Sequence, residues 1–97
     1  MGGATAVGFQ TSKGQIYYAL FGDYVGFEGA INMFSKKELK EDECTETCDS
    51  FKEFFGNESL YENEDSVWRV VRMLDGKILA KRWGMKGWFT YVPSVSN

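Results

Sequence analysis

The C-terminal third of the chain contains two runs rich in apolar residues, 67–74 and 77–83, joined by the dipeptide Asp75-Gly76. Asp-Gly between two such runs favours a tight β-hairpin, because both residue types tolerate the positive backbone φ angles of a two-residue turn. A glycine-bounded turn at 84–87 leads into a third run at 88–92. This region therefore predicts a three-stranded antiparallel meander, against which the rest of the chain must pack.

The N-terminal third shows a similar pattern of β-branched and aromatic residues broken by glycine. Residues 5–11 and 15–21 predict two strands joined by a short turn. A third strand is predicted over 24–27 and 30–34, with a bulge or turn at Glu28-Gly29. This part of the chain is therefore expected to form a hairpin or meander of its own.

The middle of the chain carries the helical signals. Ser35-Lys36-Lys37-Glu38 matches a capping box, in which the serine caps the first helical turn and Glu38 bonds back to it, so a helix is expected to begin near Lys36. Farther on, four apolar residues recur at i, i+4, i+7 and i+11 and predict a stripe on one helical face. They are Cys44, Cys48, Phe51 and Phe55.

Leu39 does not fall on this stripe, so two helical pieces with a bend at 41–43 are expected. Gly56-Asn57 predicts the end of the second piece, since glycine and asparagine are common after a helix C-terminus. The polar segment 58–66 is expected to be a loop. The region 36–56 is thus the helical part of the fold.

These elements predict a single α+β domain over residues 1–97. The expected architecture is a small antiparallel sheet, built from two meander or hairpin segments, with the central helical segment packed on one face. With 43% hydrophobic and 16% aromatic residues, a chain of this length can form a core. No apolar run approaches the ~20 residues of a membrane helix and the N-terminus does not match a secretory signal, so we expect a soluble, cytoplasmic protein with no membrane partner.

Histidine is absent, which removes the most common general base, the most common metal ligand and the Ser-His and Cys-His nucleophile arrangements. The two cysteines, Cys44 and Cys48, are too few for a disulfide framework or a structural zinc site, and are expected to be reduced core residues. A small enzyme that uses carboxylates is a further possibility, but no set of residues in the sequence is identified for such chemistry. We therefore expect a protein that is not an enzyme, with no catalytic residues, no metal and no cofactor.

Although the net charge is only −3, acidic and basic residues are concentrated in different segments of the chain. Residues 38–65 carry eleven acidic residues against two lysines, a charge of −9, whereas 66–97 carry +5. One interpretation is that the acidic segment is only a solvated surface, which charge runs commonly are. The other is that it steers a basic partner into place.

The favoured functional hypothesis is a small inhibitor or regulator that binds a basic partner protein, in the manner of immunity or phage-antagonist proteins. The carboxylates of such a surface can stand in for the phosphates of a nucleic acid. The expected partner-binding residues are Glu41, Asp42, Glu43, Glu46, Asp49 and Glu53.

The alternative hypothesis is a nucleotide or nucleic-acid binder that uses the C-terminal meander. Aromatic side chains on a sheet can stack on bases while basic side chains hold phosphates. The residues expected to bind are Arg69, Arg72, Arg82, Trp83, Lys86 and Trp88. A homodimer formed through an exposed strand edge, with an unassigned ligand, also remains open.

The segment Arg82-Trp83-Gly84-Met85-Lys86-Gly87 resembles the Arg-Trp-Gly-Arg-Val-Gly core of WGR domains. The resemblance covers six residues, and Met85 and Lys86 stand where that motif has arginine and valine. No helix is expected after it, although one follows the motif in that family. No function is carried over from it.

Overall fold

The computed structural model describes residues 4–22, 24–56 and 68–93. The helical elements and one short strand lie between an N-terminal pair of strands and a C-terminal set of three strands. The elements are β1 (Ala4–Gln10), β2 (Ile16–Gly22), α1 (Gly26–Ser35), a 3₁₀ turn (Glu41–Glu43), β3 (Glu46–Cys48), α2 (Phe51–Gly56), β4 (Trp68–Arg72), β5 (Ile78–Arg82) and β6 (Phe89–Tyr91). The α+β class is thereby confirmed, as are both strands of the first hairpin and all three strands of the meander.

The strands form one sheet in the order β3-β2-β1-β4-β5-β6. All neighbouring pairs are antiparallel except β1 and β4, which run parallel with Val7 opposite Val70. The prediction of a purely antiparallel sheet was therefore wrong. Turn chemistry specifies only strands that are adjacent in the chain, whereas the β1–β4 pair joins two hairpin units through a long crossover, as parallel neighbours require.

Helix α2, which belongs to the predicted central helical segment, packs on one face of the sheet as expected, and α1 covers the other face. Phe34 of α1 lies in a buried cluster with Val7, Val70 and Ala80. On the other face, two phenylalanines of α2 lie in a cluster with Ala6, Ile16, Tyr18, Val71 and Leu79; they are Phe54 and Phe55. Because strand side chains alternate between faces, apolar residues at consecutive positions supply both clusters.

Helix α1 occupies the segment that was predicted to be the third strand, so that prediction was wrong. Four of its apolar residues, Phe27, Ala30, Ile31 and Phe34, follow the i, i+3, i+4, i+7 spacing of a helix and pack against the sheet. The glycines and the β-branched Ile31 suggested a bulged strand instead. Burial of this face outweighs their modest helix propensity.

A contact with the sheet also anchors the start of α1. The hydroxyl of Thr5, on β1, accepts a hydrogen bond from the backbone N–H of Gly26 (3.0 Å) and donates one to the carbonyl of Gly22 (3.1 Å). Thr5 is fully buried, and both of its hydrogen-bonding capacities are used. A residue about twenty positions upstream thus satisfies an N-terminal amide of the helix.

The predicted capping box at 35–38 lies at the end of a helix and not at its start. The N–H of Glu38 donates to the carbonyl of Met33 (2.9 Å), and the N–H of Lys37 donates to that of Phe34 (3.2 Å). Lys37 itself has a φ of 53°. This pair of bonds is a Schellman motif, which ends a helix through one left-handed residue.

The predicted stripe of Cys44, Cys48, Phe51 and Phe55 does not lie on one helix. Cys44 follows the 3₁₀ turn in an extended conformation and Cys48 ends strand β3, so only the two phenylalanines belong to α2. The helical piece expected from Lys36 is not formed by residues 36–40, the bend expected at 41–43 is the 3₁₀ turn, and the second helical piece is shortened to α2. Pairing of β3 with β2 overrides the helical spacing of the cysteines. Asn57 and the predicted loop 58–66 lie outside the described residues.

Candidate functional site

The six acidic residues expected to bind a partner all lie on one edge of the sheet. Leu39 and Cys44 pack on the α1 face, and Cys48 and Phe54 pack on the α2 face, so the intervening chain wraps around the β3 edge. We name the residues that it exposes there the acidic band. They are Glu41, Asp42, Glu43, Glu46, Asp49 and Glu53.

The band's carboxylates make few contacts within the protein. Glu43 Oε1 accepts a hydrogen bond from the N–H of Lys40 (2.9 Å), and Glu53 Oε2 accepts one from the N–H of Asp49 (3.2 Å). Within residues 4–22, 24–56 and 68–93, the one ion pair joins Lys77 and Asp75 (3.7 Å), and neither belongs to the band. Among the described residues, the carboxylates of the band therefore face solvent without an ion pair to a lysine or arginine.

Strand β3 gives the band an open backbone edge. It pairs with β2 on one side, with Tyr17 opposite Thr47, and it is the last strand in the sheet order. Edge strands present unpaired N–H and C=O groups, and charged side chains protect them from indiscriminate pairing. The same arrangement can select a partner whose charge is complementary.

A groove with a volume of about 280 Å³ lies beside the band on the α1 face. Its walls include Phe21, Met33 and Leu39, and two carboxylates, Glu38 and Glu43, also line it. An arginine or lysine side chain has this combination of an apolar stem and a cationic head. The groove thus matches a basic side chain in both size and chemistry.

The two cysteines are buried on opposite faces of the sheet, Cys44 among the α1-face residues and Cys48 among the α2-face residues. Burial, together with the negative charges of Glu41 and Glu43, raises the pKa of the Cys44 thiol to about 11. Burial likewise raises the pKa of the Cys48 thiol. Neutral thiols are poor nucleophiles, and the described residues contain no group of three or more metal-ligating side chains suited to a metal ion.

The basic and aromatic residues named for the alternative hypothesis are divided between the two faces. Arg72 and Arg82 are exposed on the α1 face at opposite ends of the β4–β5 hairpin, opposite Ile78 and Trp68. Arg69 points to the other face, is 2% exposed, and donates from Nη1 to the carbonyl of Phe55 (2.6 Å). These three arginines cannot contact one ligand together.

The remaining three residues of that set lie on the α2 face. Trp83 is partly buried against the α2-face cluster, whereas Lys86 and Trp88 line a cleft beside α2. Three residues outside the expected set of six also line this cleft with their side chains: Lys52, Phe55 and Lys81. Lys81 could have been placed there from strand alternation, because it shares a face with Leu79. No local signal brings Lys52 and Phe55 to β5.

The sheet order separates the two kinds of charge. Residues 41–53 carry six carboxylates and one lysine, a charge of −5, while the described meander 68–93 carries +5. From β3 to the basic strands β4 and β5 there are three and four strand spacings, or about 14 and 19 Å. This is roughly two Debye lengths at physiological ionic strength, so attraction between the two groups of charge is largely screened.

No known protein family, curated protein or solved structure matches this chain. In the described parts of the chain, no helix is both long and apolar enough to cross a lipid bilayer. The features of the structure that indicate a function are therefore the acidic band, the groove beside it and the cleft on the α2 face.

Proposed function

We propose that this protein is a non-enzymatic interaction module that binds a basic partner protein through the acidic band. The observation that carries the proposal is that six exposed carboxylates surround one strand edge with no ion pair to a cation in the described structure. Concentrated like charge destabilises a folded chain unless something else neutralises it. A basic partner would relieve that repulsion on binding.

The groove beside the band supports a specific contact in addition to general charge attraction. A partner arginine can place its stem against Phe21 and Leu39 and its guanidinium beside Glu38 and Glu43. Buried arginine anchors are common among the residues that dominate binding energy in interfaces. The biological role that fits this surface is that of a small inhibitor or regulator, which covers the basic surface of a cytoplasmic target.

The test is a comparison of two charge reversals of equal size. Glu46→Lys changes the band, whereas Glu28→Lys makes the same change on exposed α1 outside the band. The tagged wild-type chain and both variants are used to capture proteins from lysate, followed by mass spectrometry and elution with 0.5 M NaCl. We expect one protein to be retained by the wild type and Glu28→Lys, released by salt, and bound at least roughly five-fold more weakly by Glu46→Lys.

Two outcomes would contradict the proposal. One is a partner retained equally by all three proteins or unaffected by salt, since the band would then contribute nothing. The other is a salt-insensitive second copy of this chain, detected by light scattering, because that would assign the exposed edges to homodimer formation. For a partner that passes the test, inhibition of its own activity at a 1:1 ratio checks the regulatory role.

A further inference from the structure

The cleft beside α2 differs in charge from the acidic edge of the sheet. It has a volume of about 230 Å³ and is lined by three lysines, from α2, β5 and the turn before β6. We name it the cationic cleft; its lysines are Lys52, Lys81 and Lys86. Among the described residues that line it there is no carboxylate, whereas the groove beside the acidic band and the cavities beside α1 each contain one or more. The cleft is therefore chemically suited to an anion.

Lys81 is the least exposed of the three lysines. It projects from β5 toward the α2 face and is only 7% exposed. Within the described structure its ammonium forms no ion pair. The ammonium itself is not fully buried, so an anion in the cleft can reach it and pair with it. The exposed Lys52 and Lys86 lie in the same lining and can contact the same anion.

The aromatic part of the cleft is rigid on one side and open on the other. Phe55 is 1% exposed and is held by an edge contact with Phe54, with ring centroids 5.1 Å apart. Trp88 stacks on Phe55 at a centroid distance of 5.1 Å and an interplanar angle of 20°, yet 47% of its surface is exposed. An indole supported in this way offers a preorganised surface on which a planar ring can stack.

We propose that the cationic cleft binds a nucleoside phosphate, with the phosphates beside Lys81 and the base on Trp88. The volume is below that of most drug-sized pockets, which favours one nucleotide with its base outside the cleft. Stacking on an aromatic ring discriminates weakly among bases, so we expect little base preference. The acidic band takes no part, and this site is independent of the proposed partner surface.

Titration calorimetry of the full chain with ADP, at low ionic strength and without divalent cations, tests this site. We expect a 1:1 complex with a Kd of about 10 to 100 µM that weakens as NaCl is added. Lys81→Met removes the ammonium but keeps the apolar stem, and should weaken binding at least roughly ten-fold. Lys36→Met, on the exposed end of α1, is the matched control and should change Kd by less than about two-fold.

Two further probes separate the contributions of the ring and the phosphates. Adenosine and pyrophosphate should each bind at least roughly ten-fold more weakly than ADP, because each retains only one kind of contact. Trp88→Leu should weaken ADP but leave pyrophosphate unchanged. The proposal is overturned by an absence of ADP binding, by equal ADP affinity in Lys81→Met, or by adenosine or pyrophosphate binding as tightly as ADP. Binding of an oligothymidylate without binding of ADP would overturn it too.

Discussion

Gly8 lies at the centre of β1, between Tyr18 on β2 and Val71 on β4. A Cβ atom added there would lie 2.6 Å from Tyr18 Cβ and would also overlap the backbone oxygen of Tyr17. Real Cβ atoms do not approach other atoms this closely. The absence of a side chain thus allows Tyr18 to cover the strand and contact Phe54 edge-on, with centroids 5.1 Å apart.

Gly8→Ala should therefore lower the free energy of unfolding by about 2–3 kcal/mol, because either the β1–β2 pair or Tyr18 must move. Urea denaturation followed by tryptophan fluorescence measures this change. Gly56→Ala is the control, since a Cβ at that position has no atom within 4 Å, and its stability should stay within about 0.5 kcal/mol of wild type. Equal effects of the two substitutions would show that close approach at Gly8 is unimportant.

Cys44 makes stability depend on alkaline pH. Its thiol donates a hydrogen bond to the carbonyl of Lys40 (3.7 Å), and its pKa rises from an ordinary value of 9.0 to about 11. Between these two values the unfolded chain loses the thiol proton while the folded chain keeps it. Stability is therefore fully present below pH 9 and declines as pH rises toward 11.

We expect Cys44 to account for a loss of about 1 kcal/mol in the free energy of unfolding between pH 8 and pH 10. Burial also raises the pKa of Tyr18 to about 12, but this group contributes mainly above pH 10. Urea denaturation of the wild type and of Cys44→Ala at pH 7, 8, 9 and 10 checks the difference. Parallel pH dependence of the two proteins would contradict the assignment, whatever their stability at pH 7.

At the scale of the element, the end of α1 contains an identifiable strain. Lys37 adopts a φ of 53°, a left-handed conformation that an L side chain disfavours and glycine accepts freely. The neighbouring Lys36 has a right-handed φ of −89°. Both lysines are exposed, so they form a natural matched pair.

Lys37→Gly should raise the free energy of unfolding by up to about 1 kcal/mol, because relief of the left-handed strain exceeds the added flexibility of the unfolded chain. Lys36→Gly removes the same charge and adds the same flexibility without relieving strain, so it should lower stability by about 0.5–1 kcal/mol. Thermal unfolding of both variants measures the contrast. Equal changes in stability for the two variants would contradict the assignment of the left-handed residue that ends α1 to Lys37.

The same helix shows why some sequence predictions succeeded and others failed. The hairpin at Asp75-Gly76 was predicted correctly because its turn depends on a local feature, the positive φ of 93° at Gly76, which glycine adopts freely. Helix α1 was missed because its apolar spacing competes with glycines and Ile31, and because Thr5 on β1 satisfies an amide at its start. A contact between residues about twenty positions apart cannot be predicted from the local sequence pattern of the helix.

At the scale of the whole molecule, segregated charge should make stability depend on salt. The band and the meander each concentrate charge of one sign, and the basic strands β4 and β5 lie about 14 and 19 Å from β3 across the sheet. Repulsion within each group destabilises the fold at low ionic strength, and attraction between the groups is screened by distance. The surface that we propose for binding thus carries a cost in stability.

Raising NaCl from 20 to 200 mM should increase the free energy of unfolding by about 1 kcal/mol, measured with urea because it is uncharged. Glu46→Lys should show a smaller increase and be at least as stable as wild type at low salt, since it relieves repulsion in the band. Loss of partner binding in this variant would then not come from unfolding. Salt-independent stability of the wild type would show that the band is not repulsive.

The sequence alone determined the features that arise among neighbouring residues: the two hairpins, the third strand of the meander, a helical turn that contains Phe51 and Phe55 and ends at Gly56, and the separation of charge along the chain. The candidate residues of the acidic band were all named from the sequence, and each is exposed. The structure adds that they share one edge.

Only the tertiary structure decided how distant segments meet. The parallel β1–β4 pair places the two hairpins in one sheet, sends α1 and α2 to opposite faces, and separates Cys44 from Cys48. It also brings Lys52 and Phe55 beside Lys81, which forms the cationic cleft. These arrangements depend on burying apolar surface on both faces of the sheet at once, and that free energy belongs to the whole chain and not to any local segment.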